Sequence, residues 1–251
     1  MSKPDGSPRI LSIDIETRPN LAYSWGLWDQ NIGLNQLVEA GEMMCFAARF
    51  LGEKKMHYYS TFHDGKVPMV QAAWDLLDQA DVVMHFNGKR FDIPHLNREF
   101  VTCGLGPPSP YDQLDLLLAI RKQFKFPSNK LAYVSKALGM KGKLDNGGFD
   151  LWVSCIKDDP KAWRTMARYN KQDVVLLEEL YEALLPWLPS HPNRRLYDAE
   201  GGCPRCGGSG SLQRRGYRAL QPGVYQQFYC AACRGFSRGS KRVASTDLKA
   251  S

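Results

Sequence analysis

The chain has 251 residues, of which 43% are hydrophobic and seven are cysteine. That composition can build a core, so a wholly disordered protein is excluded, and the length fits one large domain or two small ones. No apolar run approaches the roughly 18 residues of a membrane span, and the early charges are not typical of a signal peptide. We therefore expect an intracellular protein without a membrane partner, whose cysteines bind metal or stay thiols more often than they pair.

The net charge of +7 is concentrated towards the C-terminus. Residues 1–190 carry 22 Lys and Arg against 23 Asp and Glu, whereas residues 191–251 carry 11 against three. Such a basic end is either a solvated terminus or a binding surface for a polyanion, most often nucleic acid. Charge alone leaves both interpretations open.

The hydrophobic pattern predicts strands early in the chain and helices interleaved later. The predicted strands are residues 9–15, 44–51, 56–62 and 81–86, and the predicted helices are 69–79, 91–101, 114–124, 129–138, 161–168 and 169–185. This order is typical of an α/β sheet with flanking helices. Prolines then end the last helix, which predicts a domain over residues 1–189, a linker over 190–200, a small module over 201–240 and a tail over 241–251.

The first predicted strand carries two carboxylates on one face. Asp14 and Glu16 alternate with Ile13 and Ile15, so the acids project from the same side about 7 Å apart along the strand. Two neighbouring carboxylates repel each other and are costly to desolvate. The ordinary alternative is a polar stripe that faces solvent.

Two further acids stand at the starts of predicted helices. Asp92 ends the segment Asn87–Asp92 at a strand-to-helix junction, where the common alternative is an N-cap. Tyr169 and Asp173 lie four residues apart at the start of a long helix and share a face. A packing tyrosine and an acid in the favourable first turn are the alternatives there. Asp112 and Asp115 are predicted only to begin a helix.

Taken together, these segments resemble the motifs of the DEDD superfamily of 3′–5′ exonucleases, over about Arg9 to Leu185. The matching residues are Asp14 and Glu16 in the first motif, Asn87, Phe91 and Asp92 in the second, and Tyr169 and Asp173 in the third. A tyrosine four residues before the last acid resembles the DEDDy branch, which includes the proofreading domains of family A and family B polymerases. Residues 21–30 and the stretch around Gly139 are similar to stand-alone phage and bacterial relatives.

The resemblance implies an RNase H-like mixed sheet with flanking helices and a two-metal hydrolysis of phosphodiester bonds. Asp14, Glu16, Asp92 and Asp173 would hold two Mg²⁺ or Mn²⁺ ions, which prefer hard oxygen ligands. Tyr169 would position the attacking water. The expected substrate is nucleic acid, with single-stranded DNA favoured and RNA open, in the cytoplasm of a bacterial cell or phage-infected host.

Candidate substrate contacts are less sharply defined. By resemblance, Ile15, Thr17 and Asn87 are expected near the terminal nucleotide. Trp25 and Trp28 could stack on unpaired bases. Packing of these two rings on the sheet edge is the slightly favoured interpretation.

Four cysteines form two C-x₂-C pairs in the basic C-terminal part, separated by 23 residues. The pairs are Cys203 with Cys206 and Cys230 with Cys233. Four thiolates at this spacing suit one structural tetrahedral Zn²⁺ and leave no open catalytic position. The pattern resembles a zinc ribbon, with strands over residues 213–218 and 224–229. Disulfides or free thiols are the alternatives.

Arginines and aromatic residues alternate in this module, a composition that suits phosphates and unpaired bases. The predicted substrate contacts are Arg214, Arg215 and Arg218. Docking of a protein partner is the second hypothesis for the module.

The sequence therefore predicts a metal-dependent 3′–5′ exonuclease whose zinc ribbon aids substrate binding. One alternative is a nucleic-acid-binding protein with an inactive nuclease fold. Another is a structure-specific endonuclease or a ribonuclease on the same fold.

Overall fold

The structure is a computed structural model, and it describes residues 7–140, 142, 147–188, 191–197, 201–221 and 223–246. The chain divides into two compact units, one of residues Arg9–Leu180 and one that joins Met1–Pro8 to Tyr181–Ser251. Within the described ranges, no helix has both the length and the apolar character needed to cross a bilayer.

A five-stranded mixed sheet forms the centre of the Arg9–Leu180 unit. Its strands are β1 (Ile10–Thr17), β4 (Met43–Phe50), β5 (His57–Ser60), β6 (Val82–His85) and β7 (Asp112–Asp115), in the order β5-β4-β1-β6-β7. β1 pairs antiparallel with β4 and parallel with β6. The short strands β2 (Leu21–Ala22) and β3 (Leu37–Glu39) pair with each other in the β1–β4 connection. The predicted α/β class is confirmed.

Helices cover both faces of this sheet. They are α1 (Lys66–Asp78), α2 (Asp92–Thr102), α3 (Leu116–Gln123), α4 (Leu131–Ala137), α5 (Phe149–Ile156) and α6 (Pro160–Leu184). One face buries Leu11, Ile13 and Ile15 of β1 in a core shared with α1 and α2. The other face packs Met44 and Cys45 of β4 against α5 and α6. β1 is buried on both faces over Ile10–Ile13, whereas Asp14 and Glu16 nearer its end are half-buried.

The structure differs from the predicted elements at several points of the Arg9–Leu180 unit. Residues 161–168 and 169–185 belong to one continuous helix, since no glycine or proline interrupts α6 between Pro160 and Leu184. Residue 114, predicted as a helix start, lies in β7, which pairs with β6. Helix α5 follows Gly147 and Gly148 and was not predicted. Asp115 caps α3 by accepting from the backbone N–H groups of Leu117 and Leu118, so its predicted role at a helix start is confirmed.

The described part of the second unit contains a three-stranded antiparallel sheet. Its strands are β8 (Leu212–Leu220), β9 (Gly223–Cys230) and β10 (Phe236–Ser245), in the order β10-β9-β8. The first two cover the predicted strands, whereas β10 was not predicted and enters the segment expected to be a tail. Of the predicted linker, residues 191–197 are described and include a 3₁₀ turn at Arg194–Leu196. Residues 190, 198–200 and 247–251 lie outside the described ranges.

Candidate active site and metal centre

The end of β1 positions the first two acids. Asp14 pairs with Ala47 and Glu16 with Cys45 across the β1–β4 ladder, and both side chains lie on the face opposite Ile13 and Ile15. The parallel strands β1, β6 and β7 end at the same sheet edge, which is where ligands bind in sheets of this kind.

Helix α6 brings a third acid to this edge. One carboxylate oxygen each from Asp14, Glu16 and Asp173 lies within 4.8 Å of the other two. The oxygens around a single Mg²⁺, at about 2.1 Å from the ion, are about 3–4 Å apart, so the cluster is close to the spacing that one such ion needs. Tyr169, one turn earlier on α6, is 5% exposed and packs edge-on against Trp152 with ring centroids 6.0 Å apart. The predicted third motif therefore meets the first in space.

Asp92 lies beside this cluster but not in it. It is the first residue of α2 and is 4% exposed, and its Oδ1 accepts a hydrogen bond of 3.1 Å from the backbone N–H of Ile15. Burial raises the pKa of Asp92 to about 7, against the opposing effect of backbone hydrogen bonds. Ile15 stands between Asp14 and Glu16, so Asp92 is fastened to the strand that carries them. Its role as a metal ligand stays a prediction.

Asn170 is a site residue that the sequence analysis did not single out. Its side chain is fully buried, and its Nδ2 donates to Asp14 Oδ2 at 2.6 Å and to the Asp14 carbonyl oxygen at 3.1 Å. These bonds fix the orientation of the Asp14 carboxylate. Its position between Tyr169 and Asp173, on the inward face of α6, was the available clue. The contact itself spans 156 residues of sequence and is not visible in local patterns.

The turn after β6 is held in an unusual backbone conformation. Asn87 has φ of +69°, and its N–H donates to Asp115 Oδ1 at 3.1 Å. A Cβ at position 88 would lie 2.2 Å from His85 Cγ, so only glycine fits there. Gly88 N–H donates to His85 Nδ1 at 3.1 Å, and burial lowers the pKa of His85, which favours the neutral ring. The turn thereby presents Asn87 to the site.

An open cleft of about 630 Å³ lies over the acids. Asp14, Asn87 and Asp173 line it together with Arg121 and Lys130, two cations that were not predicted as site residues. These cations lie on and beside short helices that are far from the acids in the sequence. Sequence patterns therefore gave no indication that they belong to the site. Cations beside a carboxylate cluster suit a phosphodiester substrate, whose own charge opposes that of the acids.

The other predicted substrate contacts occupy different settings. The Ile15 side chain is 3% exposed and belongs to the core. Thr17 is half-buried at the end of β1, after an irregularity in the ladder between Glu16 and Thr17. Trp25 and Trp28 are 99% and 83% exposed. Packing of these two rings on the sheet edge, the slightly favoured interpretation, is therefore wrong, because both rings face solvent.

The four paired cysteines form a compact cluster in the second unit. The sulfurs of Cys203, Cys206, Cys230 and Cys233 all lie within 4.8 Å of one another. Sγ of Cys203 is 3.8 Å from that of Cys233, and Sγ of Cys206 is 3.7 Å from that of Cys230. A disulfide needs about 2.05 Å, whereas tetrahedral Zn²⁺ with bonds of about 2.3 Å sets its sulfurs about 3.8 Å apart. The donor set and the spacing fit zinc.

Both cysteine turns share one hydrogen-bond pattern. Gly207 N–H donates to the Cys203 carbonyl and Arg234 N–H donates to the Cys230 carbonyl, each at 2.8 Å. The donor residue has φ of +77° in the first turn and +61° in the second. Arginine rather than glycine occupies the second left-handed position, which costs about 1 kcal/mol of backbone strain.

The sheet of the cysteine module displays exposed arginines beside aromatic rings. Arg214, Arg215 and Arg218 are all exposed on β8. The Arg215 guanidinium lies over the Tyr229 ring at 5.5 Å, and that of Arg238 lies over Tyr225 at 4.6 Å. Such pairs keep a cation and an aromatic face on one surface.

A model of the RNase_H superfamily matches residues 33–185, which is more than half of the chain. The chain therefore belongs to the RNase H superfamily, and the expected RNase H-like fold is confirmed. Domains of this superfamily are in general nucleases, which makes the chain a nucleic-acid-processing nuclease by class. The matched range begins after β1, so the family match does not cover Asp14 and Glu16.

Among solved structures, the family B DNA polymerase from the hyperthermophilic archaeon Pyrobaculum calidifontis is similar, with a TM-score of 0.54 and 16% sequence identity. The alignment covers 86% of this chain and 32% of the polymerase, so the chain spans about a third of that protein's length. At this identity the likeness shows a shared fold. No curated protein matches the chain.

Proposed function

We propose that the Arg9–Leu180 unit is a DEDDy-type, metal-dependent 3′–5′ exonuclease that acts on single-stranded DNA. The observation that carries this proposal is the approach of the Asp14, Glu16 and Asp173 carboxylates to within 4.8 Å. Tyr169 precedes the last acid by one helical turn, and a cleft with two cations lies over the cluster. Such a cluster is costly without cations, because like charges repel at short range.

The acid cluster suits Mg²⁺ or Mn²⁺, whose preferred ligands are carboxylate oxygens. When bound, these ions supply an activated water and stabilise the leaving 3′ oxygen. Asp14, Glu16 and Asp173 would hold the ions, and Asp92, which is hydrogen-bonded to the Ile15 N–H, would provide a fourth carboxylate. Asn170 holds Asp14 in one orientation through its two hydrogen bonds.

The remaining residues act on the substrate. Tyr169 hydrogen-bonds the attacking water and positions it, since a neutral phenol is a hydrogen-bond donor and a poor base. Arg121 and Lys130 pair with phosphates in the cleft. Trp25 and Trp28 offer exposed rings to unpaired bases at the end of the sheet that bears the acids.

The test is digestion of matched DNA and RNA oligonucleotides, labelled at the 5′ end, with Mg²⁺, with Mn²⁺ and with EDTA. We expect a metal-dependent ladder that shortens from the 3′ end and is faster on DNA. Internal cuts would instead identify an endonuclease. Salt-sensitive binding without any cleavage would identify an inactive nuclease fold.

The matched variants are Asp173→Asn and Asp112→Asn, which remove one negative charge each. Asp173 belongs to the cluster, whereas Asp112 is exposed at the start of β7. Loss of one carboxylate ligand should lower kcat by about 10²–10³-fold, on the scale of electrostatic catalytic groups. Asp112→Asn should keep normal turnover, and normal turnover in Asp173→Asn would contradict the assignment.

We further propose that the cysteine module is a zinc ribbon that binds the substrate strand. One structural Zn²⁺ held by Cys203, Cys206, Cys230 and Cys233 folds the module. The exposed arginines of β8 contact phosphates while the neighbouring rings contact bases. Arg214→Ala/Arg215→Ala/Arg218→Ala in the full chain should raise KM. It should also reduce the salt slope, which is the slope of the logarithm of the binding constant against the logarithm of the salt concentration, by about 2, at about 0.7 per phosphate contact. An unchanged slope would favour docking of a protein partner.

A further inference from the structure

A second cleft, of about 740 Å³, lies on the outer side of α6. Its walls come from α6 and from the end of β5 with the turn that follows, and they include Tyr58, His63 and Asp64. We call it the outer cleft. Its volume is in the range of pockets that bind small molecules or single nucleotides.

Three cations on α6 line the outer cleft. Arg164, Arg168 and Lys171 are spaced four and three residues apart, so they share one face of the helix. At 3.6 residues per turn this face points nearly opposite to Asp173 and Asn170. The outer cleft is therefore separate from the acid cluster, although one helix carries both.

Among the described residues, no ion pair neutralises the positive charge of the outer cleft. In the part of the chain that the structure describes, none of the three cations has a carboxylate within 4.0 Å of its nitrogens. Asp64 is the acid in the lining, and its Oδ2 accepts a hydrogen bond of 2.9 Å from Ser60 N–H. Three positive charges against one negative charge favour an anionic ligand.

The floor of the outer cleft is apolar and aromatic. Lys171 Nζ lies over the Tyr58 ring at 5.0 Å, and Val175 and Ala167 complete the lining between the cations. Beside it, Phe62 stacks on Trp163 with ring centroids 5.5 Å apart and planes 13° from parallel. A ligand that combines a flat apolar part with a phosphate matches this surface, because rings stack on aromatic faces and phosphates pair with guanidinium groups.

We propose that the outer cleft binds a nucleotide of the substrate strand away from the end being hydrolysed. This inference rests on the proposed exonuclease function and extends it. The phosphate pairs with Arg164 and Arg168, and the base lies against the Tyr58 side of the cleft. Because α6 is about 10 Å wide, a strand of several nucleotides is needed to occupy both clefts. The outer cleft then raises affinity for long substrates and leaves the chemical step unchanged.

The experiment compares a 5′-labelled DNA 20-mer with a trinucleotide in the full chain. Arg164→Ala/Arg168→Ala should raise KM for the 20-mer about tenfold and reduce its salt slope by about 1.4, at about 0.7 per phosphate contact. The kcat/KM for the trinucleotide should stay within twofold. Ala167→Glu, which adds a carboxylate between the cations without removing one, should act in the same direction.

Lys54→Ala/Lys55→Ala is the matched control, since it removes two exposed positive charges from a surface turn of the same unit. A 20-mer KM and salt slope equal to those of the control would overturn the proposal. Equal losses on both substrates would also overturn it, because the cations would then serve the acid cluster or the fold. Low-micromolar binding of free thymidine 5′-monophosphate that these variants abolish would contradict a strand site and identify a free-nucleotide site.

Failure of the exonuclease function is recognised separately. Fluorescence anisotropy of the labelled 20-mer in EDTA measures binding without hydrolysis. If the wild type cleaves neither substrate but Arg164→Ala/Arg168→Ala still binds the 20-mer about tenfold more weakly than the control, the outer cleft stands and the exonuclease assignment falls. Equal binding by variant and control overturns the outer cleft.

Discussion

The Arg9–Leu180 unit and the cysteine module are stabilised by different means. The first buries whole layers of aliphatic side chains on both faces of its sheet. Among the described residues of 201–246, the buried hydrophobic side chains are those of Cys203 and Cys230 alone. A sheet of three strands without an apolar core is marginal at best, so the proposed zinc ion would supply most of its folding free energy.

This difference explains where each region carries its charges. A large core tolerates a few repelling carboxylates at one edge, because the stability lost there is small against the area buried elsewhere. The described part of the cysteine module has no apolar core to cover, so most positions of β8 are exposed and can carry arginines. The proposed catalysis and the proposed strand binding thus fall in regions whose energetics permit them.

The largest expected effect is loss of zinc from the module. Cys206→Ser removes one of four thiolates, and structural zinc contributes about 10–16 kcal/mol of binding free energy in comparable peptides. We expect zinc content to fall from one ion per chain to near zero. We also expect the NMR chemical-shift dispersion of the β8–β10 amides to be lost. Trinucleotide hydrolysis should persist.

The control is Cys103→Ser, which changes a half-buried thiol in the Arg9–Leu180 unit. It should leave the zinc content at one ion per chain. A well-dispersed spectrum of β8–β10 in zinc-free Cys206→Ser would show that the module folds without metal and would remove the contrast between the two regions.

The next prediction concerns how the Arg9–Leu180 unit orients the Asp14 carboxylate. Asn170→Ala removes both hydrogen bonds to Asp14, and loss of an outer partner of a metal ligand typically lowers metal affinity 10–100-fold. The Mn²⁺ concentration for half-maximal activity should rise by that factor, with kcat recovering at saturation. Asn97→Ala, an exposed amide on α2, is the control. A lower melting temperature with an unchanged Mn²⁺ dependence would mean that Asn170 serves the fold alone.

A smaller effect separates base stacking from phosphate binding. Trp25→Ala should raise KM for a DNA 20-mer about tenfold, because stacking on one base contributes about 1–3 kcal/mol. The salt slope should not change, in contrast to the β8 arginine variants. An abasic nucleotide at the stacked position should abolish the difference between wild type and variant, as a double-mutant cycle requires.

Leu34→Ala is the matched control, since this apolar side chain is 89% exposed in the same connection. It should leave KM unchanged. If sedimentation showed a wild-type dimer that Trp25→Ala dissociates, the exposed rings would be a contact between copies of the chain and not a base-binding surface.

The sequence predicted those features that depend on local spacing. The acids of β1 and α6 were found because strand and helix periods place them on definite faces, and the cysteine pairs were found by their spacing. Asn170 and the cations of the two clefts were missed, because their significance comes from contacts between distant segments. The contact of Asn170 with Asp14 joins residues 156 positions apart.

The errors in secondary structure have the same origin. Strand β7 has four residues, with Asp112 and Asp115 at its ends, and it exists because it pairs with β6. Intrinsic propensity does not favour a strand there, since aspartate is depleted in sheets. The prediction for Trp25 and Trp28 was wrong for the opposite reason. Large rings are ordinarily buried, so the general rule predicted that these two would pack on the sheet. An exposed ring that breaks this rule is a stronger indication of binding than its sequence alone.

The smallest effect concerns acid sensitivity of the second unit. Burial lowers the pKa of His191 to about 4, and its ring lies between Tyr181 Oη, 2.8 Å from Nε2, and the Pro192 carbonyl, 2.7 Å from Nδ1. The neutral ring that donates from Nδ1 and accepts at Nε2 satisfies both contacts. Between pH 6.5 and 4 the unfolded chain binds a proton that the folded chain does not, so stability falls as pH falls.

Between pH 7 and 5, His191 should therefore cost the fold about 1–2 kcal/mol. Glutamine does not titrate. The unfolding free energy of His191→Gln should therefore decrease by about 1–2 kcal/mol less than that of the wild type between pH 7 and 5. Taking the difference between the two proteins cancels the protonation of the four paired cysteines, which both share. Parallel pH profiles would show that His191 is protonated equally in the folded and unfolded chains. A smaller loss in His191→Gln would mean that this histidine is one source of the pH dependence of the second unit.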